Sequence, residues 1–313
     1  MNLSAVMRTA EFDADTPVSL AAVSRQGHME TIAAGRWPDG SAVVETDWFY
    51  AASLSKQLTA AAAARLMQAG RLDADAPVAR YMPDLPDWAT RVTARQLAHH
   101  IAGLPADNEN DFEDLTKHWT EARALAALGN LSKLPRSPGQ AYVYSNLGYV
   151  LLAEVLARAA GKPFPEIVSK TLMQPLGIEG MAFAGPAIGD FPQASLLGPV
   201  LPLTVGDGGL WSTAQAFGGW LQAMNADSLD LASVLTQPGR LSNGETTDYG
   251  WGIGLRQYRG APLYIHGGEW TGAVARAVRS PSLGLAVVAF ASGPSIDALG
   301  ALVDAILDAE ADS

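Results

Sequence analysis

Strand-like patterning is confined to the two ends of this 313-residue chain. Near the start, Val18–Ser24 and His28–Ala34, joined through Gln26-Gly27, read as a β-hairpin. Near the end, Gly252–Gln257, Pro262–His266, Val274–Arg279 and Leu285–Ala291 read as further strands. From Thr93 to about Asn225 the patterns are mostly helical and no strand is convincing. Strands found only at the ends have few ways to pair: both ends contribute to one antiparallel sheet, and the middle is an insertion. Leu3, Val6 and Met7 suggest a short amphipathic helix at the start, and Ile296, Leu299, Val303 and Ile306 share a helical face at the end. The expected fold class is therefore α/β of the α+β kind: an antiparallel five-stranded sheet flanked by N- and C-terminal helices, with a large all-helical insertion. Residues 1–75 and 236–313 form the sheet subdomain, and 76–235 the mainly helical one.

Local signals fill in this frame. A helix starting at Ser53 ends near Gly70, and Asp73–Asp87, punctuated by Pro77, Pro83 and Pro86, is a loop. Leu147–Ala160 is apolar nearly all round, with Glu154 and Arg158 as an i,i+4 pair, and reads as a buried helix. Hydrophobic content of 48% with 17% charged residues describes a globular chain. A formal charge of −11 argues against nucleic acid as a partner, because phosphates need basic patches. With no cysteine there are no disulfides or thiolate sites. His99 and His100 are adjacent and lack metal-ligand spacing, so no metal or other cofactor is expected. The start lacks the basic and apolar runs of a signal peptide, and no stretch is long enough to span a membrane. The expected location is cytoplasmic, or periplasmic or secreted if a leader has been removed. Oligomeric state is not legible.

The chemistry is concentrated at Ser53-Leu54-Ser55-Lys56. Residues at i and i+3 share a helix face, so the Lys56 amine can reach the Ser53 oxygen. A serine hydroxyl is a poor nucleophile until a neighbouring base takes its proton. A helix N-terminus favours the negative charge that develops during attack. Ser55 is the weaker candidate, because neighbours at i and i+1 do not face each other. One Ser-x-x-Lys is weak evidence: twenty serines and five lysines yield about 0.3 matches by chance. Two further elements strengthen it. Tyr144-Ser145-Asn146 opens the buried helix and supplies a phenol for acid–base work and an amide that both donates and accepts. His266-Gly267-Gly268 closes a strand, where paired glycines let a substrate backbone approach closely.

With these residues in place, the chain resembles the serine β-lactamase and penicillin-recognising superfamily, in the branch holding class C β-lactamases, DD-peptidases, D-aminopeptidases and β-lactamase-like esterases. That branch carries Ser-x-x-Lys, Tyr-x-Asn, then Lys-Thr-Gly or a His/Trp-x-Gly variant, in this order. Gln96–Pro105 and Gly208–Thr213 are similar to two further family segments. The resemblance implies one catalytic domain over about 15–295, with its active site between the two subdomains. It implies Ser53 as the acylated nucleophile, Lys56 as its proton acceptor and Tyr144 as the shared acid and base. Asn146 would orient Lys56 and the substrate, and the backbone N–H groups of Ser53 and Glu269 would form the oxyanion hole. His100, aligned with the family's histidine, is expected to be structural.

Departures from the family pattern narrow the substrate. His266 and Gly267 stand where the family's lysine and threonine help hold a substrate carboxylate. Glu269 is expected to bring a carboxylate to the cleft and repel anions. The acidic run Asp107–Asp114 points towards an amine on the substrate, and Trp211 and Trp270 are candidates for a pocket wall. The expected function is a serine hydrolase acting through an acyl-enzyme on a small ester, amide or peptide, with neutral or amine-bearing substrates favoured. A β-lactamase or DD-carboxypeptidase is the alternative. A catalytically silent penicillin-binding or scaffold protein is the alternative of another class. An α/β-hydrolase would need Gly-x-Ser-x-Gly, which is absent.

Overall fold

A computed structural model describes residues 3–7, 12–107 and 117–311. Its strands in chain order are β1 (Val18–Val23), β2 (Met29–Ala34), β3 (Phe49–Tyr50), β4 (Trp119–Thr120), β5 (Met181–Phe183) and β6 (Pro202–Leu203). They continue with β7 (Leu210–Ser212), β8 (Gly254–Tyr258), β9 (Ala261–Trp270), β10 (Ala273–Ser280) and β11 (Leu285–Ala291). Six of these form one antiparallel sheet in the order β2-β1-β11-β10-β9-β8. The two ends of the chain meet where β1 pairs with β11, from Val18 opposite Ala291 to Val23 opposite Ala286.

Strands β1 and β11 are buried along their whole length because both sheet faces are covered. Leu20, Val287 and Ala289 pack with Leu299, Val303 and Ile306 of the C-terminal helix Ile296–Ala311. Ala21, Val288 and Phe290 face the other way, into a core shared with Phe217 and with the helix Ser55–Gln68. That helix is buried along most of its length, and its run Ala60–Ala64 is entirely unexposed. Alanine suits this position because it lets neighbours approach a central helix from all sides. The same core continues into the insertion through Val150, Leu151 and Val155 of the helix Asn146–Ala160.

Two expectations need correction. The sheet has six strands, not five: all six strand-like segments of the two ends join it, with β8 as an edge strand whose Arg256 and Gln257 are exposed. The insertion is not all helical: β4 pairs with β6 in parallel, and β5 and β7 join β3 in a small sheet. Strands of two or three residues carry too little alternation to be seen in a sequence. Tertiary contacts hold them instead, as where Ala51 N donates to Leu210 O at 2.8 Å. The hairpin, the helix ending before Gly70 and the Glu154–Arg158 pair (2.6 Å) all form. Among the described residues, no helix is long and apolar enough to cross a membrane.

Candidate active site

The turn that presents Ser53 is under backbone strain. After β3 the chain turns through Ala52 at φ +45°, a left-handed conformation uncommon outside glycine. A 3₁₀ turn over Ala52–Leu54 then runs into the α-helix, which begins at Ser55 and not at Ser53. Lys56 lies on the first helical turn with no exposed surface, and its Nζ donates to Ser53 Oγ at 3.0 Å. Its other two donors reach Asn146 Oδ1 at 2.6 Å and the carbonyl oxygen of Asp207 at 2.8 Å. Three acceptors around one amine match the three N–H groups of an ammonium. Ser55 is fully buried, with Gly206 O as its hydroxyl's partner at 3.5 Å, and does not face Lys56.

Asn146 is aimed by Asp107. The carboxylate accepts from Asn146 N at 2.7 Å and from Asn146 Nδ2 at 2.9 Å, leaving the amide oxygen to face Lys56. It also caps the helix Asn146–Ala160, a role that the Ser145 side chain does not fill. Sequence reasoning had Asp107 only as part of an acidic run, and the rest of that run, residues 108–114, lies outside the described residues. Tyr144 is half-buried, with its ring centre 4.9 Å from Lys56 Nζ and 4.3 Å from the ring of His100. His100 is buried in a left-handed conformation (φ +57°), and its Nδ1 accepts from Ser145 N at 3.2 Å. Burial first, and then the Lys56 charge, hold this imidazole well below its ordinary pKa. His100 thus positions the Tyr144–Asn146 turn as a neutral ring.

The second half of β9 lies beside Ser53. Pairing with β8 ends at Gly254 opposite Ile265, so among the described residues Gly267–Trp270 have no strand on that edge. A Cβ on Gly268 would lie 2.5 Å from Ala51 O and 3.2 Å from Ser53 N, so only glycine lets the strand come this close. His266, on the same face, has both nitrogens engaged. Nδ1 is 2.6 Å from Gly267 O, which only accepts, so Nδ1 carries the proton and Nε2 accepts from the Tyr249 hydroxyl at 2.9 Å. Burial, reinforced by Lys56, pushes this imidazole down to about 3. Tyr249 has no motif around it and was not anticipated.

A Cβ on Gly267 would meet Ile296 Cδ1 at 2.9 Å, so the C-terminal helix fills the space a threonine side chain would take. Glu269 is exposed and lies opposite Val274, which packs on the C-terminal-helix side of the sheet. The expectation that its carboxylate faces the cleft with His266 and Gly268 is therefore corrected by strand alternation. Trp211 is wholly buried and stacked on Phe191 at 4.6 Å, which makes it packing and not a pocket wall. Trp270 is half-buried and donates to Val200 O at 3.3 Å.

Solved structures share this architecture. The D-amino acid amidase from Ochrobactrum anthropi SV3, complexed with D-phenylalanine, superposes with a TM-score of 0.78 at 23% identity, over 99% of this chain and 97% of that one. The octameric penicillin-binding protein homologue from Pyrococcus abyssi gives 0.75 at 19% identity, over 94% and 74%. At these identities the likeness concerns the fold. Among curated sequences, penicillin-binding protein 4* of Bacillus subtilis (strain 168) is 27% identical over 260 residues, covering 72% of this chain and 56% of that protein. The D-alanyl-D-alanine-carboxypeptidase/endopeptidase AmpH of Escherichia coli (strain K12) is 28% identical over 137 residues, 42% of this chain and 36% of AmpH. The matched regions thus span about a third to just over half the length of these two curated relatives. The beta-lactamase family model matches residues 4–309, and the chain belongs to the beta-lactamase family.

Proposed function

We propose that this chain is a serine hydrolase that forms an acyl-enzyme on Ser53 and acts on small amides or esters, with neutral or amine-bearing substrates preferred. The observation that carries the reading is the buried Lys56 amine held 3.0 Å from Ser53 Oγ by Asn146 and the Asp207 carbonyl. In this reading Lys56 takes the hydroxyl proton as Ser53 Oγ bonds to the substrate carbonyl carbon. Tyr144 then delivers a proton to the leaving group and activates water for deacylation. The amides of Ser53 and Glu269 receive the oxyanion.

The substrate preference rests on charge. His266 is neutral and has no nitrogen left for a substrate carboxylate, while Asp107 brings a carboxylate within one side chain of Lys56. The kinship in fold with D-amino acid amidases supports an amine next to the scissile carbonyl. Hydrolysis of a carboxylate-bearing peptide or β-lactam is the second reading. The relatives named as carboxypeptidases favour it.

The test is a panel of D-amino-acid amides, short acyl esters and nitrocefin against wild type and Ser53→Ala, with intact mass after fluorophosphonate treatment. A single adduct lost in Ser53→Ala, together with faster turnover of cationic than of matched anionic p-nitrophenyl esters, is expected. Faster turnover of the anionic ester or of nitrocefin would move the assignment to the second reading. No adduct at all would favour a silent binding protein.

A further inference from the structure

We infer that Tyr142 is an aromatic anchor for the substrate's leaving group, so that the site favours esters or amides whose departing half carries an aromatic ring. The inference rests on the proposed roles of Ser53 and Tyr144. Among the described residues only two large hydrophobic side chains are exposed, Val44 at 49% and Tyr142 at 40%. A single exposed apolar group needs no explanation by itself. Tyr142 differs from Val44 in where it stands and in how firmly it is held. Val44 lies in the loop between β2 and β3, whereas Tyr142 stands two residues before Tyr144.

Tyr142 and Tyr144 lean on the same imidazole. The His100 ring centre is 5.9 Å from that of Tyr142, edge to face, and 4.3 Å from that of Tyr144. Tyr142 also meets Tyr249 at 5.8 Å, and Tyr249 meets His266 at 5.9 Å. His266 is in turn 6.4 Å from Tyr144, which closes a circuit of rings. Tyr142 is its outermost member, because His100, Tyr249 and His266 are buried and Tyr144 is half-buried.

The backbone fixes this ring from two sides. Gly139 N donates to Ile101 O at 2.7 Å and Val143 N to His100 O at 2.8 Å, which ties the segment to the His100 turn. Ser242 N donates to Gly139 O at 2.9 Å, which ties it to the turn that precedes Tyr249. A ring already held by its scaffold loses little freedom when it binds. Arg256, whose charge reaches the ring, is engaged by Leu255 O at 2.8 Å and by the Asp248 carboxylate at 3.7 Å. The surface offered is therefore apolar and preorganised, which suits another ring. Its place says which half of the substrate it meets. Tyr144 hands its proton to the departing atom, and Tyr142 stands outward of Tyr144 on the same imidazole.

The experiment uses two alkyl phosphonates that differ only in leaving group, fluoride in one and p-nitrophenolate in the other. With either probe Ser53 Oγ loses its proton to the base and bonds to phosphorus, and the leaving group departs with the electron pair of its bond. Labelling of Ser53 is followed by intact mass against probe concentration in wild type, Tyr142→Phe, Tyr142→Leu and Tyr142→Ala, with thermal melts of all four. Tyr142→Leu and Tyr142→Ala are expected to raise the half-saturating concentration of the p-nitrophenyl probe about three- to tenfold with little change in its limiting rate. Labelling by the fluoride probe, which has no departing ring to lose, is expected to change by less than about twofold. Tyr142→Phe keeps the ring and is expected to keep the wild-type affinity for the p-nitrophenyl probe. Equal slowing of both probes, or failure of both ring-less variants to fold, would assign the ring to packing of His100 and overturn the inference. No change with either probe would overturn it too. Absence of labelling in the wild type, or labelling that survives Ser53→Ala, would instead refute the site assignment itself, which separates the two failures.

Discussion

Of the five lysines in the chain, only Lys56 is buried, and its three hydrogen bonds hold it at the serine. Replacing it by a methionine of similar shape removes the proposed base and leaves Asn146 Oδ1 and the Asp207 carbonyl without their buried donor. Each acceptor left unsatisfied costs about 1–3 kcal/mol. Lys56→Met is therefore expected to melt below the wild-type temperature while staying folded, and kcat/KM for an activated ester is expected to fall about 10²- to 10⁴-fold. Retained activity would contradict this. Asp107 acts one step further out, through Asn146. Asp107→Ala frees the amide to rotate away from Lys56, and about a 100-fold fall in kcat is expected from misplaced groups. Asp107→Glu should recover part of it, and equal losses in both variants would point to simple unfolding of the cap.

At the scale of elements, the close approach of β9 to the Ser53 turn is the feature most sensitive to a single atom. Gly268→Ala places a methyl 2.5 Å from Ala51 O, which is backbone and cannot swing aside. The strand or the turn must shift, with overpacking of about 1–3 kcal/mol and a loss of at least tenfold in acylation rate. Stopped-flow acylation beside a urea melt checks both parts, and unchanged acylation would show that the contact is not tight. The two glycines of this strand were legible as a sign of close approach. Which face each one serves was not, because a strand's two faces are assigned by its partners. Gly267 meets Ile296 and Gly268 meets the Ser53 turn, and the same alternation turns the Glu269 carboxylate away from the cleft.

For the whole molecule, three buried imidazoles couple stability to pH. Burial pushes His99 down to about 4 and His266 to about 3, and holds His100 well below its ordinary value. Below about pH 6.5 the unfolded chain protonates these rings and the folded chain does not, so the unfolded state binds more protons. Stability should therefore be full above pH 6.5 and fall as the pH drops towards 4, by at most about 1.4 kcal/mol per pH unit for each ring. Urea melts between pH 7.5 and 4.5 measure this, and a flat profile would show that the rings are accessible to protons in the native state.

The sequence alone determined whatever depends on local periodicity or on short spacing. Strand patterns at both ends implied a sheet closed by β1 and β11, and the i,i+3 geometry of a helix brought Lys56 to Ser53. The tertiary structure decided what depends on contacts between distant segments. Asp107 meets Asn146 across 39 residues, the backbone carbonyl of Asp207 meets Lys56 across 151, and Tyr249 meets His266 across 17. None of these partners carries a signature of its own, because a carboxylate or phenol acquires its role from the burial and the neighbours that folding supplies. The Ser53–Lys56 contact was therefore readable from four adjacent letters, and the partners that hold Lys56 there emerged only when the chain closed around it.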